Sequence, residues 1–251
     1  MKRVAAIYDI HGNLPALEAV LEDIRRTGVD AIVVGGDVVP GPMPREALDL
    51  LFGLDIPAQY IRGNGEAEVL AERAGVETGN VPERFRGVIR WSASQLDVEH
   101  ERGLLGWPAT VQLAIEGLGE VLFCHATPQS DKAIFTRRTA EQRLLPVFEG
   151  LDAQVVICGH THMQFDRQIG AVRVVNAGSV GMPYGDPGAY WLVLGPDIQL
   201  RCTSYDLEQA ATRITQTGYP QAAEFAANDL LHPRSEAETL DVFGRFELTQ
   251  P

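Results

Sequence analysis

The chain has 251 residues, 45% hydrophobic and 22% charged, enough to bury a substantial core in one large domain. A formal net charge of -13 excludes a partner held mainly by phosphate-backbone attraction, so no stable nucleic-acid binding is expected. No apolar run approaches the roughly 18 residues that span a bilayer, and the opening VAAIY stops at Asp9, so a cytoplasmic protein without a membrane partner is expected.

In chain order, RVAAIYD reads as a strand, followed by Leu14, Leu17, Val20, Leu21 and Ile24 at helical spacing with Asn13 as N-cap. DAIVVGGD is a second buried strand, REALDLLFGL a second helix and PAQYIRGN a third strand, an alternation that predicts βαβ units. A more irregular helical region runs from about Pro82 to Trp107, with Phe85, Trp91 and Trp107 expected in core or lid packing. From Val111 the pattern turns to strands: VQLAIEG, GEVLFCH, AQVVICGH, AVRVVNAG, AYWLVLG and IQLRCTSY, with one helix at AEQRLLPVFEGL. EGLGE joins the first two as a hairpin turn. One or two closing helices are expected from about Leu207. The whole chain, 1–251, is taken as a single domain with its core over about 1–205. Cys124, Cys158 and Cys202 form no disulfide or zinc pattern, and the first two sit inside apolar runs.

Five of the apolar runs end in metal-friendly side chains, often beside glycine. Asp9 and His11 end the first, Asp37 the second, Asn64 the third, His125 a later one, and His160 with His162 another. An isolated D-x-H would suit a helix cap and a loop histidine equally well, but four of the six histidines fall in these strand ends. His100 and His232 lie elsewhere and are expected to be exposed or on a helix surface. In a helix-flanked sheet, the carboxyl ends of strands are where ligands collect. Two aspartates, four imidazoles and an amide oxygen suit Mn, Fe, Zn or Ni better than calcium, and they are too many for one tetrahedral zinc. Two ions about 3.5–4 Å apart, sharing a carboxylate, would use them all.

The ordered set D-x-H, G-D, G-N, H and G-H-x-H resembles the calcineurin-like metallophosphoesterase superfamily over roughly residues 1 to 205. IYDIHGNLPAL and NAGSVGMPYGDPGAYW resemble its small single-domain bacterial and archaeal members, often classed as phosphodiesterases. The resemblance implies an α/β fold, a four-layer α/β/β/α sandwich of two mixed sheets flanked by helices. It also implies a metal held by Asp9, His11 and His162, a second held by Asn64, His125 and His160, and Asp37 bridging the two. Asp37, Asn64 and His125 would form the catalytic set, with a metal-bridging hydroxide attacking phosphorus in a small phosphorylated molecule or nucleotide. Where many relatives read G-N-H-[DE], this chain reads GNGE, so Gly65 replaces a histidine that contacts phosphate and assists the leaving group. Losing an acid of that kind costs roughly 10²–10⁴-fold, which favours diesters or activated esters. Glu66 could supply a proton, but its place at a helix N-terminus lowers its pKa. The G-D-x-x-D-R-G signature is absent, which weakens a protein-phosphatase reading. A phosphomonoesterase, or a silent scaffold like the related retromer subunit, is the alternative. Asn64 and Arg62 are candidate substrate contacts, as are Lys132, Arg137 and Arg138 in the loop HATPQSDKAIFTRR, and Tyr184 is a candidate wall residue.

Overall fold

A computed structural model describes residues 1–76 and 81–248. Its strands are β1 (Val4–Ile7), β2 (Ala31–Val34), β3 (Ala58–Tyr60), β4 (Thr110–Ile115), β5 (Gly119–Cys124), β6 (Val155–Cys158), β7 (Phe165–Ile169), β8 (Val172–Asn176), β9 (Ala189–Leu194) and β10 (Ile198–Thr203). The helices are α1 (Leu14–Thr27), α2 (Pro44–Phe52), α3 (Asn64–Arg73), α4 (Glu83–Gln95), α5 (Val98–Leu105), α6 (Glu141–Phe148), α7 (Leu207–Thr215), α8 (Ala222–Phe225) and α9 (Glu236–Phe243). A π-helical turn, Ala226–Leu231, continues α8.

Two five-stranded mixed sheets result, in the orders β10-β9-β1-β2-β3 and β4-β5-β6-β8-β7. The strands that carry the site run parallel: β1 with β2 and β2 with β3 in one sheet, β5 with β6 in the other. Side-chain alternation along β1 makes the layers. Ala5 and Ile7 join Leu17, Val20, Leu48 and Leu51 under the helices, whereas Val4, Ala6 and Tyr8 face Phe123, Ile157 and Val175 between the sheets. The outer side of the second sheet packs Val156 and Val174 on Leu144 and Phe148 of α6. Helices, sheet, sheet and helix therefore form the expected four layers. Each fully buried Leu, Ile or Phe contributes about 1.5–3 kcal/mol of transfer free energy to this stacking.

Local signals work as physics requires. Asn13 caps α1 by accepting from Ala16 N at 3.2 Å, and Gly28 ends that helix in left-handed backbone. Several expectations need correction. Strand β7 carries Asp166, Arg167 and Gln168 at its centre, so the sequence FDRQI offers no apolar run; it is an edge strand paired antiparallel with β8. His100 is buried rather than exposed: Nε2 lies 2.9 Å from Asp49 Oδ1, and Nδ1 accepts from Asp97 N at 3.3 Å, closing a cap on α5. Phe85 is 41% exposed, while Trp107 lies in the core and Trp91 meets Tyr219 edge-on at 5.3 Å. The tail forms three helices and a π turn rather than one or two helices, and its Ala210, Ile214, Phe225 and Leu230 cover Leu14 and Met43.

Candidate metal centre

Asp9 and His11 leave β1, Asp37 leaves β2, and Asn64 follows β3 through Gly63 to begin α3. His125 follows β5 directly, and His160 and His162 leave β6. Parallel pairing puts these carboxyl ends on one edge of each sheet, and the packing of the two sheets brings the edges together. Asp9, His11, Asp37, His160 and His162 all have positive φ, between +46° and +66°; among the described residues only one other non-glycine, Leu248, does. Left-handed backbone costs a side-chain-bearing residue about 1 kcal/mol or more, so this turn is held by its surroundings. Cross-bonds from Asp9 N to Gly36 O (3.1 Å), His11 N to Asp37 O (2.9 Å) and Gly12 N to Val38 O (2.8 Å) supply that constraint.

Two groups of potential ligands form, Asp9 with His11 and His162, and Asp37 with His125 and His160, the donor atoms of each lying within 4.8 Å of one another. Asp37 Oδ2 stands between the groups, 3.8 Å from His11 Nε2 and 3.5 Å from His125 Nε2. Backbone carbonyls meet the Nδ1 atoms of three of the rings: Pro40 O for His11 (3.3 Å), Gly35 O for His125 (2.9 Å) and Met182 O for His162 (2.7 Å). A ring that donates Nδ1–H outward turns the lone pair of Nε2 inward, the arrangement in which imidazole binds a cation.

His11 Nε2 is 3.2 Å from His162 Nε2, and Asp9 Oδ1, fully buried, has no hydrogen-bond partner among the described residues. In the orientation that satisfies hydrogen bonding, the Asn64 amide donates to His160 Nδ1 at 3.1 Å and to the Asp131 carbonyl at 3.2 Å and accepts from Gly65 N at 3.2 Å. A buried polar atom left like Asp9 Oδ1 costs about 1–3 kcal/mol, which a divalent ion held there would remove. Charges in the cluster show the same strain. Burial and neighbouring His125 push His160 down to about 4, while Asp37 overcomes the opposing effect of burial and lifts His125 up to about 10. Asp37 is held below the usual carboxylate range, burial being outweighed by His125, His11 and His160. The residues present fit two borderline cations.

A family model of the calcineurin-like phosphoesterase superfamily domain matches residues 1–195. The chain belongs to that superfamily. Phosphodiesterase YfcE of Escherichia coli is 29% identical over 199 residues, spanning 79% of this chain and 90% of YfcE. An uncharacterised protein of Methanocaldococcus jannaschii, MJ0912, is 27% identical over 244 residues, 87% of this chain and 94% of its own. The crystal structure of a metallophosphoesterase from Sphaerobacter thermophilus superposes with a TM-score of 0.70 at 25% identity, covering 91% of this chain and all of that one (100%).

Within this phosphoesterase frame, Gly65 has a reason of its own. A Cβ at this position would lie 2.1 Å from the Val39 carbonyl oxygen, 2.9 Å from Pro40 Cδ and 3.0 Å from Asp37 Oδ1. The loop after β2 fills the place from which a histidine side chain would start, and Gly65 N donates to Asp37 Oδ1 at 2.7 Å. Glu66, next to it, is fully buried and accepts from Asp37 N (2.9 Å), Val38 N (2.7 Å), Val39 N (3.2 Å) and Gly63 N (2.8 Å). Burial and the Asp37 charge push its carboxyl up to about 7, against the pull of these donors. Such bonding makes Glu66 the anchor of the Asp37 loop. Sequence reasoning missed this role; the only local signal was Glu at the third position of α3, as in a capping box.

Other candidates scatter. Arg137 pairs with Glu236 and Arg138 Nη1 with Asp241 Oδ1 at 2.8 Å, so both tie the loop after β5 to α9. Lys132 Nζ rests 3.7 Å from Glu68 Oε1 on α3, one turn beyond Asn64. Arg62 is half-buried with its backbone N bonded to Pro108 O at 2.9 Å, and its guanidinium makes no ion pair among the described residues. Tyr184 does reach the centre: its ring stacks on His162 at 5.6 Å and 24°.

Proposed function

We propose that the protein is a two-metal phosphodiesterase that hydrolyses a small phosphorylated molecule or nucleotide. Asp9, His11 and His162 would hold one divalent transition-metal ion, Asn64, His125 and His160 the other, with Asp37 shared. When bound, two such cations supply Lewis acidity at the phosphoryl oxygens and bring the pKa of a water towards neutrality. The observation that carries this reading is the fully buried Asp9 Oδ1, without a hydrogen-bond partner among the described residues and facing imidazole nitrogens: His162 Nε2 at 3.5 Å and His125 Nε2 at 3.9 Å.

The chain's own residues fix the rest. Glu66 locks the loop that presents Asp37, and Gly65 N holds Asp37 Oδ1, leaving Oδ2 for the shared position. The carbonyls of Pro40, Gly35 and Met182 orient three rings, so little reorganisation accompanies substrate binding. Position 65 offers no side-chain acid to the leaving group, a lack that matters least for esters whose leaving group departs unaided. This supports preference for aryl or otherwise activated diesters over alkyl monoesters, as does the likeness to a phosphodiesterase.

The test is hydrolysis by metal-stripped protein reloaded with Mn²⁺, comparing an aryl phosphodiester with the matching monoester and using Asp37→Ala as control. Diester turnover that requires the metal and is lost in the control is expected. Preference for the monoester would move the activity to a phosphatase. Inertness towards both esters, with two ions bound per chain, would sink the hydrolase reading.

A further inference from the structure

Residues beyond 195 lie outside the family match, yet they pack directly on Tyr184, a side chain that touches the metal centre. Phe243 of α9 meets the Tyr184 ring edge-on at 6.0 Å. Gly185 N donates to Arg234 O at 2.9 Å, and the Glu236 side chain closes on Gly185, where even a Cβ would come within 3.0 Å of Glu236 Cγ. Glu236 is itself held by Arg137. The loop is thus clamped by the tail, and the ring stacks on His162.

Among the described residues its hydroxyl has no hydrogen-bond partner. Of the six tyrosines, Tyr8, Tyr60, Tyr190 and Tyr205 place their hydroxyls in hydrogen bonds with Ile157 O, Leu51 O, Asp186 O and Asn13 Nδ2. Tyr184, like Tyr219, makes no such bond within the described residues, although it lies close enough to Asp229 and Arg234 of the tail and, less strongly, to Asp9 to feel their charges. A phenol with ordinary chemistry is protonated at neutral pH and donates one hydrogen bond. A clamped aromatic ring that stacks on His162 and carries an unused donor can meet an oxygen that arrives with the substrate.

We propose that Tyr184 is a catalytic residue of the phosphoester site, donating its hydroxyl hydrogen to a non-bridging phosphoryl oxygen of the bound ester. The proposal rests on the hydrolase reading for its substrate. It also supplies a neutral donor in a site where position 65 has none. A hydrogen bond to a charged oxygen strengthens as charge builds in the transition state, and removing one lowers turnover roughly 10- to 100-fold.

Tyr184→Phe keeps the ring against His162 and Phe243 and removes only the hydroxyl. Mn²⁺ content, affinity of the Mn²⁺-loaded protein for inorganic phosphate by calorimetry, and kcat/KM on the aryl diester are measured for both proteins. Unchanged Mn²⁺ binding is expected, with phosphate affinity and kcat/KM each lower by roughly tenfold or more. Unchanged phosphate affinity and kcat/KM would overturn the proposal. A loss of Mn²⁺ affinity that accounts for both other losses would also overturn it, because Tyr184 would then act by positioning His162. Wild-type protein inert on every ester, with phosphate affinity that still drops in the variant, would sink the hydrolase reading and leave the Tyr184 contact standing.

Discussion

Five side chains at the centre stand in backbone that L-residues avoid, and each of those turns stores free energy that a glycine would release. His160→Gly, at φ +66°, is therefore expected to raise the stability of metal-free protein by up to about 1 kcal/mol in urea unfolding while abolishing metal-dependent activity. Gly65 behaves oppositely. Because the Val39 carbonyl lies 2.1 Å from the position of an added Cβ, Gly65→Ala should destabilise by about 1–3 kcal/mol, and a variant of unchanged stability would mean that the loop yields easily. Glu66→Gln leaves some of four backbone donors unsatisfied and should cost at least about 2 kcal/mol, with Glu66→Ala worse. The seven proposed ligands were legible because aspartate, histidine and asparagine are conspicuous after apolar runs. Glu66 was not, because its partners lie 27 to 29 residues away in the loop it holds, Gly63 apart.

At the scale of elements, buried parallel strands announce themselves as unbroken apolar runs, and β1, β2, β5 and β6 were all visible for that reason. β7 was not, since an edge strand with three polar residues in its middle carries no apolar period. The tail was only half visible: its helices are short, and they are ordered by covering Leu14 and Met43 rather than by their own pattern. Within it, Asp229 on the π turn is pushed up to about 6, first by burial and then by Glu224, with His162 and Arg234 pulling the other way. A carboxyl whose folded pKa exceeds its unfolded value keeps its proton longer in the folded state. Its ionisation weakens the fold as pH rises from about 4 to 6, and the penalty is complete above that window. Asp229→Asn in metal-free protein should thus match wild type near pH 4 and exceed it near pH 7, by up to about 2 kcal/mol. A stability difference that does not change with pH would show that Asp229 ionises at no cost.

For the whole molecule, the decisive fact is that neither sheet owns the centre. The first sheet supplies Asp9, His11, Asp37 and Asn64, the second His125, His160 and His162, and each proposed ion would draw ligands from both. Ions that bind only the folded chain stabilise it by mass action, about 2.7 kcal/mol at a hundred times the dissociation constant. Mn²⁺ should accordingly raise the melting temperature by several degrees and a chelator should reverse it; an unchanged melting temperature with ions bound would count against preferential binding to the fold. No helix among the described residues is long and apolar enough to cross a membrane.

The divided ownership reaches into the order of assembly. A chain whose sheets had formed without docking would carry only fragments of either proposed ion site, so tight metal capture would report the docking of the two sheets. Followed by stopped flow, the moment at which Mn²⁺ becomes slow to exchange would date the closing of the seam between the sheets, without a probe attached to either one.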